Sequence, residues 1–167
     1  QAGHRWKTER WDSLRLLTPN WMNHLAGARY AGPDPQGYMT VQTFTAQFSR
    51  AVKDLNPPLQ TRTVVKSLTG APGGYRLMTS RGLIPARAVV RANGACAQSL
   101  GPGFAQQKPG DVQQKTSQSY KRPDMLGEGP VLVVGASASG QQIARELALA
   151  GRAVTLAVGT HVRLPRT

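Results

Sequence analysis

The stretch from residue 131 to 158 constrains this chain most. Four consecutive apolar residues, Val131-Leu132-Val133-Val134, run into six small ones, Gly135-Ala136-Ser137-Ala138-Ser139-Gly140. An unbroken apolar tetrapeptide predicts a strand buried on both faces of a parallel sheet. Beyond the small residues, Ile143, Leu147 and Ala150 give one face of a helix that Gly151 ends, and 154–158 reads as a second strand. Strand, small-residue turn, helix and strand in that order predict the opening β-α-β unit of a dinucleotide-binding domain.

Each residue of the turn has a physical reason to be small. Gly135 permits the sharp bend. Ser137 stands where the fingerprint has its middle glycine, small enough for the backbone to approach a pyrophosphate and able to donate its hydroxyl. Gly140 lets the helix pack against the strand. The free amides and the dipole at the helix start then face the phosphates. Ala136, Ala138, Ser139 and Gln141 complete the candidate lining. A tight β-α turn without a nucleotide is the alternative reading. A hydrolase elbow needs glycine two positions after the serine, and Ser139 sits there instead.

The coenzyme follows from charge. An NAD site ordinarily places an acid at the end of the second strand, to hold the ribose hydroxyls. Here Val158-Gly159 end that strand, and His161, Arg163 and Arg166 follow. Cations suit the additional 2′-phosphate of NADPH.

The rest of the chain is rich in turns, with 18 glycines and 12 prolines among 167 residues. Residues 1–40 predict an irregular connection anchored by Trp6, Trp11, Leu14, Leu16, Leu17, Trp21 and Leu25. Val41, Phe44, Phe48, Val52 and Leu55 predict one face of a helix over 41–55, which Asn56-Pro57-Pro58 stops. Residues 60–92 predict a three-stranded meander with strands at 63–68, 75–79 and 83–90, and turns at 70–74 and 80–82. Residues 93–128 read as a linker.

The net charge of +13 raises nucleic acid as a partner, but the 21 basic residues are spread along the chain without a run of five or six. A diffuse positive surface that also suits pyrophosphate is the expectation. Cys96 is the lone cysteine, which excludes an intrachain disulfide and a cysteine metal cage; a small buried side chain is expected there. His4, His24 and His161 are too scattered for a metal site. No signal peptide and no run of membrane-spanning length is visible, so a cytoplasmic location off the membrane is expected.

At this point the chain resembles the flavin-containing monooxygenases, in their bacterial FAD- and NADPH-dependent branch. Gly3-x-x-Trp6 followed by Trp11-Asp12-Ser13-Leu14-Arg15-Leu16 resembles the segment that runs along the flavin. Ala92-Asn93-Gly94 resembles the Ala-Thr-Gly turn that re-joins the FAD domain. The turn at 135–140 falls at the family's second, NADPH-binding fingerprint. Thr116-Ser117-Gln118-Ser119-Tyr120 resembles the His-Ser-x-x-Tyr end of its identifying motif. The departures are Thr116 for His, no preceding Phe-x-Gly, Asn93 for Thr, and Arg91, Lys108 and Lys115 at positions expected to be apolar.

The resemblance implies an α/β, Rossmann-like FAD/NAD(P)-binding fold with a three-stranded β-meander, incomplete at both ends. Residues 1–128 would be a partial FAD-binding domain and 129–167 the start of an NADPH-binding domain. It implies FAD contacts at Trp6, Trp11, Asp12, Ser13, Ala92, Asn93 and Gly94, and NADPH contacts at 135–141, His161 and Arg163. The parent reaction would be hydride transfer from NADPH to FAD, followed by O2 activation on a small-molecule substrate. An internal fragment, inactive alone, is the expectation. A pyridine-nucleotide disulfide reductase relative and a basic binding module without catalysis are the competing readings.

Overall fold

A computed structural model describes residues 2–94, 99 and 101–160. His161, Arg163, Arg166 and Cys96 therefore lie outside the described residues. The chain divides into two compact units: Gly3–Leu55 with Gly101–Thr167, and Asn56–Leu100 with the first two residues.

The larger unit is built on a parallel pair. Strand β4 (Val131–Val134) and strand β5 (Val154–Ala157) pair in register Val131↔Val154 to Val134↔Ala157, with helix α3 (Ala138–Leu149) crossing between them. The strand-turn-helix-strand order read from the sequence is thus the observed order. Helix α3 ends as expected. Gly151 sits at φ 78°, its amide reaches Ala148 O, and the Arg152 amide reaches Leu147 O. That pair of bonds is a Schellman closure, which satisfies two of the carbonyls a helix end leaves open.

Two details differ from the sequence reading. The buried face of α3 is Ala144 and Leu147, with Ile143 half-buried and Ala150 exposed. Ala150 caps the helix and already turns away. Strand β4 is covered on one face only. Val131 and Val133 pack toward the core, whereas Leu132 is 62% exposed and Val134 54%. A strand alternates its side chains, and α3 lies on one side.

The irregular N-terminal segment supplies the rest of that core. Trp11, Leu14, Val41, Tyr120 and Leu147 form one buried cluster, flanked by Trp6, Leu16, Val131, Val133, Ile143 and Val154. A short helix α1 (His4–Thr8) lies against helix α2 (Val41–Leu55), with the Trp6 and Phe44 rings 4.6 Å apart. Helix α2 has the predicted limits. Val41 and Ala51 are buried; Leu55, at its last position before the unit boundary, is exposed.

The smaller unit is the antiparallel meander of β1 (Val65–Ala71), β2 (Gly74–Thr79) and β3 (Gly82–Ala86). Its strands are displaced from the expected limits. β1 continues through Gly70 and Ala71 because Ala71 pairs with Gly74, which shortens the turn to Pro72-Gly73. Proline presets the first position of such a turn and Gly73, at φ 76°, supplies the second. β3 stops at Ala86 rather than at 90, because the ladder to β2 ends at the Tyr75–Ala86 pair and Arg87 leaves it in a bend. Pro85, without an amide, is tolerated because β3 is an edge strand. Buried Thr79 holds the second turn, donating to Gly82 O at 2.7 Å and accepting from the Arg81 amide at 3.0 Å.

Candidate functional site

The turn at 135–140 has the geometry its small residues imply. Gly135 stands at φ 103°, a region closed to most side chains, and donates its amide to Ala157 O at 3.0 Å, so the bend begins while still tied to β5. At Gly140 a Cβ would overlap the carbonyl oxygen of Gly135 and touch Val133. Only glycine lets α3 approach β4 this closely.

Ser137 is the N-cap, extended at φ −75° and ψ 177°, but its side chain caps nothing. The first intrahelical bond runs from the Gln141 amide to Ser137 O at 3.0 Å. Helix geometry leaves the preceding amides, including Ser139 and Gly140, without intrahelical acceptors. No acid stands in the first turn. A serine hydroxyl, unpaired amides and the positive end of the dipole thus gather at one exposed bend, which is what an anion requires. The Gln141 side chain folds back and donates to Ala136 O at 2.6 Å, bracing the bend from outside.

The residues singled out for FAD fall in both units. In the larger one, Trp11 is 3% exposed within the core cluster, and its indole Nε1 is buried without a hydrogen-bond partner among the described residues. Trp6 is half-buried, with the Arg10 guanidinium 5.1 Å from its ring. The Asp12 amide donates to Lys121 O at 2.9 Å, its carbonyl accepts from Gln42, and its carboxylate lies 3.7 Å from Arg122. Ser13 is exposed. In the meander unit Ala92, Asn93 and Gly94 are exposed, with Gly94 at φ 68° and Asn93 accepting from Arg91 at 3.1 Å.

Gln142, which sequence reasoning passed over, and Tyr120, noted there only as the end of a motif, tie helix α3 to the rest of the larger unit, and Lys121 fastens α1. Gln142 accepts from the Arg15 amide at 3.1 Å and donates to Arg15 O at 3.0 Å. Residues 14–16 pair with 39–41 on their other edge, so the glutamine completes a strand-like slot with one side chain. Tyr120 donates to Glu146 at 2.7 Å. Burial, then the hydrogen bond and charge of Glu146, then the charges of Asp124 and Asp12, raise the pKa of that phenol well above its ordinary value. Lys121 donates to the carbonyls of Thr8 and Arg10, closing the end of α1. The motif-like run 116–120 shows how Tyr120 is delivered: Thr116 O accepts the Tyr120 amide at 2.8 Å, forming one tight turn.

Among the described residues no cluster of His, Cys, Asp or Glu is arranged to hold a metal, and no helix is long and apolar enough to cross a membrane.

Comparison with known proteins gives this geometry a context. The family model for pyridine nucleotide-disulphide oxidoreductases matches residues 30–166. A protein of Geobacillus kaustophilus, described as an uncharacterized CzcO-like oxidoreductase, is 37% identical over 98% of this chain and 46% of its own length. The chain thus spans about half the length of the curated relatives it matches. Among solved structures, a flavin-containing monooxygenase from Stenotrophomonas maltophilia superposes with a TM-score of 0.76 at 22% identity, over 94% of this chain and 47% of its own. The bacillithiol disulfide reductase of Staphylococcus aureus gives 0.74 at 14% identity, over 92% and 46%. Both likenesses show an FAD/NAD(P)-binding flavoprotein fold.

Proposed function

The chain belongs to the pyridine nucleotide-disulphide oxidoreductase family, and on that footing we propose that it carries the NADPH-binding turn and part of the FAD-binding surface of a flavin-dependent monooxygenase. One observation carries the reading: an uncapped helix start beneath a glycine bend that tolerates no side chain at Gly140. The likeness to the Stenotrophomonas enzyme supports the monooxygenase class.

In this reading Gly135, Ser137, Ser139 and Gly140 hold the pyrophosphate of NADPH through amides and a hydroxyl. Ala136, Ala138 and Gln141 keep the bend in shape. His161 and Arg163, with Arg166, take the 2′-phosphate and set the preference for NADPH over NADH. Trp6, Trp11, Asp12 and Ser13 are the FAD residues of the larger unit, and Ala92, Asn93 and Gly94 those of the meander unit. Bound together, the two cofactors supply hydride transfer and O2 activation, and the protein's part is to hold and shield them. Gln142 and Tyr120 keep helix α3 in register with the 11–16 segment. The reaction takes a small-molecule substrate and involves neither membrane nor nucleic acid.

The test is a titration of this chain with NADPH, followed through its amide signals. Saturable shifts are expected at Gly135, Ser139 and Gly140, at lower concentrations of NADPH than of NADH. Ser137→Glu places a negative charge at the uncapped start and weakens binding roughly tenfold or more. If NADPH moves no amide between 134 and 142, the assignment fails. A second reading, reduction of a disulfide, is favoured by the family's own description. In the whole protein, O2 uptake with NADPH consumption supports the first reading, and thiol release without O2 supports the second.

A further inference from the structure

The meander unit carries charge of one sign. Residues 56–100 include Arg62, Lys66, Arg76, Arg81, Arg87 and Arg91, and no aspartate or glutamate. Two of these cations meet at the hairpin end. Arg76 lies opposite Pro85 and Tyr75 opposite Ala86, the last pair of the ladder, and Arg87 follows directly in a bend. Arg76 and Arg87 thus line the same end of the hairpin.

Backbone of the neighbouring segment fills the side-chain position of Gly74. Gly74 has no side chain, and a Cβ there would overlap the Ala86 carbonyl oxygen and press on Arg87 Cα. An open cleft of about 340 Å³ remains, lined by both arginines together with Gly73, Gly74 and Pro85. Neither guanidinium takes a hydrogen bond or ion pair among the described residues. Two like charges lining one cleft disfavour each other, and no carboxylate of the unit offsets them. A guanidinium presents planar donors that match phosphate oxygens in pairs.

We propose that this cleft binds a phosphate-bearing small molecule, held by Arg76 and Arg87. It shares no residue with the turn at 135–140 and does not depend on what that turn binds. Both arginines are exposed, so neutralising them leaves the ladder of β2 and β3 in place.

The experiment titrates the full chain with inorganic phosphate and with pyrophosphate, reading amide signals. Saturable shifts at Gly74, Arg76 and Arg87 are expected, and tighter saturation by pyrophosphate would assign both arginines to separate phosphate groups. Arg76→Gln and Arg87→Gln each weaken binding about tenfold, while Arg62→Gln, outside the cleft in the same unit, changes it less than twofold. Unchanged amide positions along β1 and β2 in the variants show that the hairpin is intact. Shifts confined to 135–140, no saturation at the hairpin, or an Arg62→Gln effect equal to that of Arg76→Gln would each overturn the proposal.

Discussion

The parallel pair β4–β5 and the meander β1–β2–β3 are both small sheets, but they are held by different forces. The parallel pair has only four residues per strand and depends on what lies over it. Leu147 of α3 is 1% exposed and joins Trp11, Leu14, Val41 and Tyr120 in one cluster. The meander has a longer ladder and one hydroxyl-braced turn, but little burial; Leu68 on its apolar side is 45% exposed. A sheet that lives on packing should be sensitive to single atoms. A sheet that lives on main-chain bonds should tolerate the same changes. All three tryptophans lie outside residues 56–100, so tryptophan fluorescence reports on the packed unit alone.

The largest expected contrast is between two glycines. Gly140→Ala forces a Cβ into the Gly135 carbonyl and separates α3 from β4. A loss of about 3 kcal/mol or more is expected. Gly70→Ala meets nothing within contact range and lies in ordinary extended backbone, so a change within about 0.5 kcal/mol is expected. Urea unfolding, followed by fluorescence for the first and by the meander's amide signals for the second, measures both. Equal losses would break the contrast between the sheets.

A smaller contrast follows from leucines. Leu147→Ala removes a fully buried side chain from the core cluster, and about 2–5 kcal/mol is expected. Leu68→Ala removes one already half in water, and about 1 kcal/mol or less is expected. If Leu68→Ala costs as much as Leu147→Ala, the meander has a core comparable to that of the packed unit.

The same difference decides what could be read from the sequence. The turn at 135–140, the helix over 41–55 and the stop at Gly151 were legible because each rests on a local rule: small residues at a bend, a helical period, a positive φ. The limits of the meander strands were legible only roughly, because the Ala71–Gly74 pairing and the bulge between Val65 and Ser67 are decided across strands. Gln142 was not legible, and Tyr120 was legible only as the end of the 116–120 motif, not in its bond to Glu146. Gln142 reaches Arg15 across 127 residues, and Tyr120 reaches Glu146 across 26. Such single polar bonds have no period and no composition. What did hint at them was a chain of apolar anchors without helical or strand spacing, Trp11 and Leu14 among them. Those residues need a partner surface, and α3 is that surface.

The smallest expected effect tests that surface through pH. Tyr120 is buried, donates to Glu146, and has its pKa raised by burial first and by the neighbouring carboxylates second. In the unfolded chain the phenol titrates near its ordinary value of about 10. Between that value and the higher folded one, the folded state holds a proton that the unfolded state has released. Stability from the neutral hydroxyl is therefore complete below pH 10 and is lost as pH rises through 10 toward the folded pKa. A single such group adds a slope of about 1.4 kcal/mol per pH unit in that window. Tyr120→Phe removes both the bond and the titration. At pH 8 it should cost about 1 kcal/mol, the net worth of a hydrogen bond. Above pH 10 the unfolding midpoint of the original chain should fall toward that of the variant, and the gap should close by about pH 11. Fluorescence-monitored urea unfolding from pH 8 to pH 11 reads this directly. A gap that stays constant across that range would mean that another group carries the alkaline dependence, and that the Tyr120–Glu146 bond does not hold the 116–120 turn to α3.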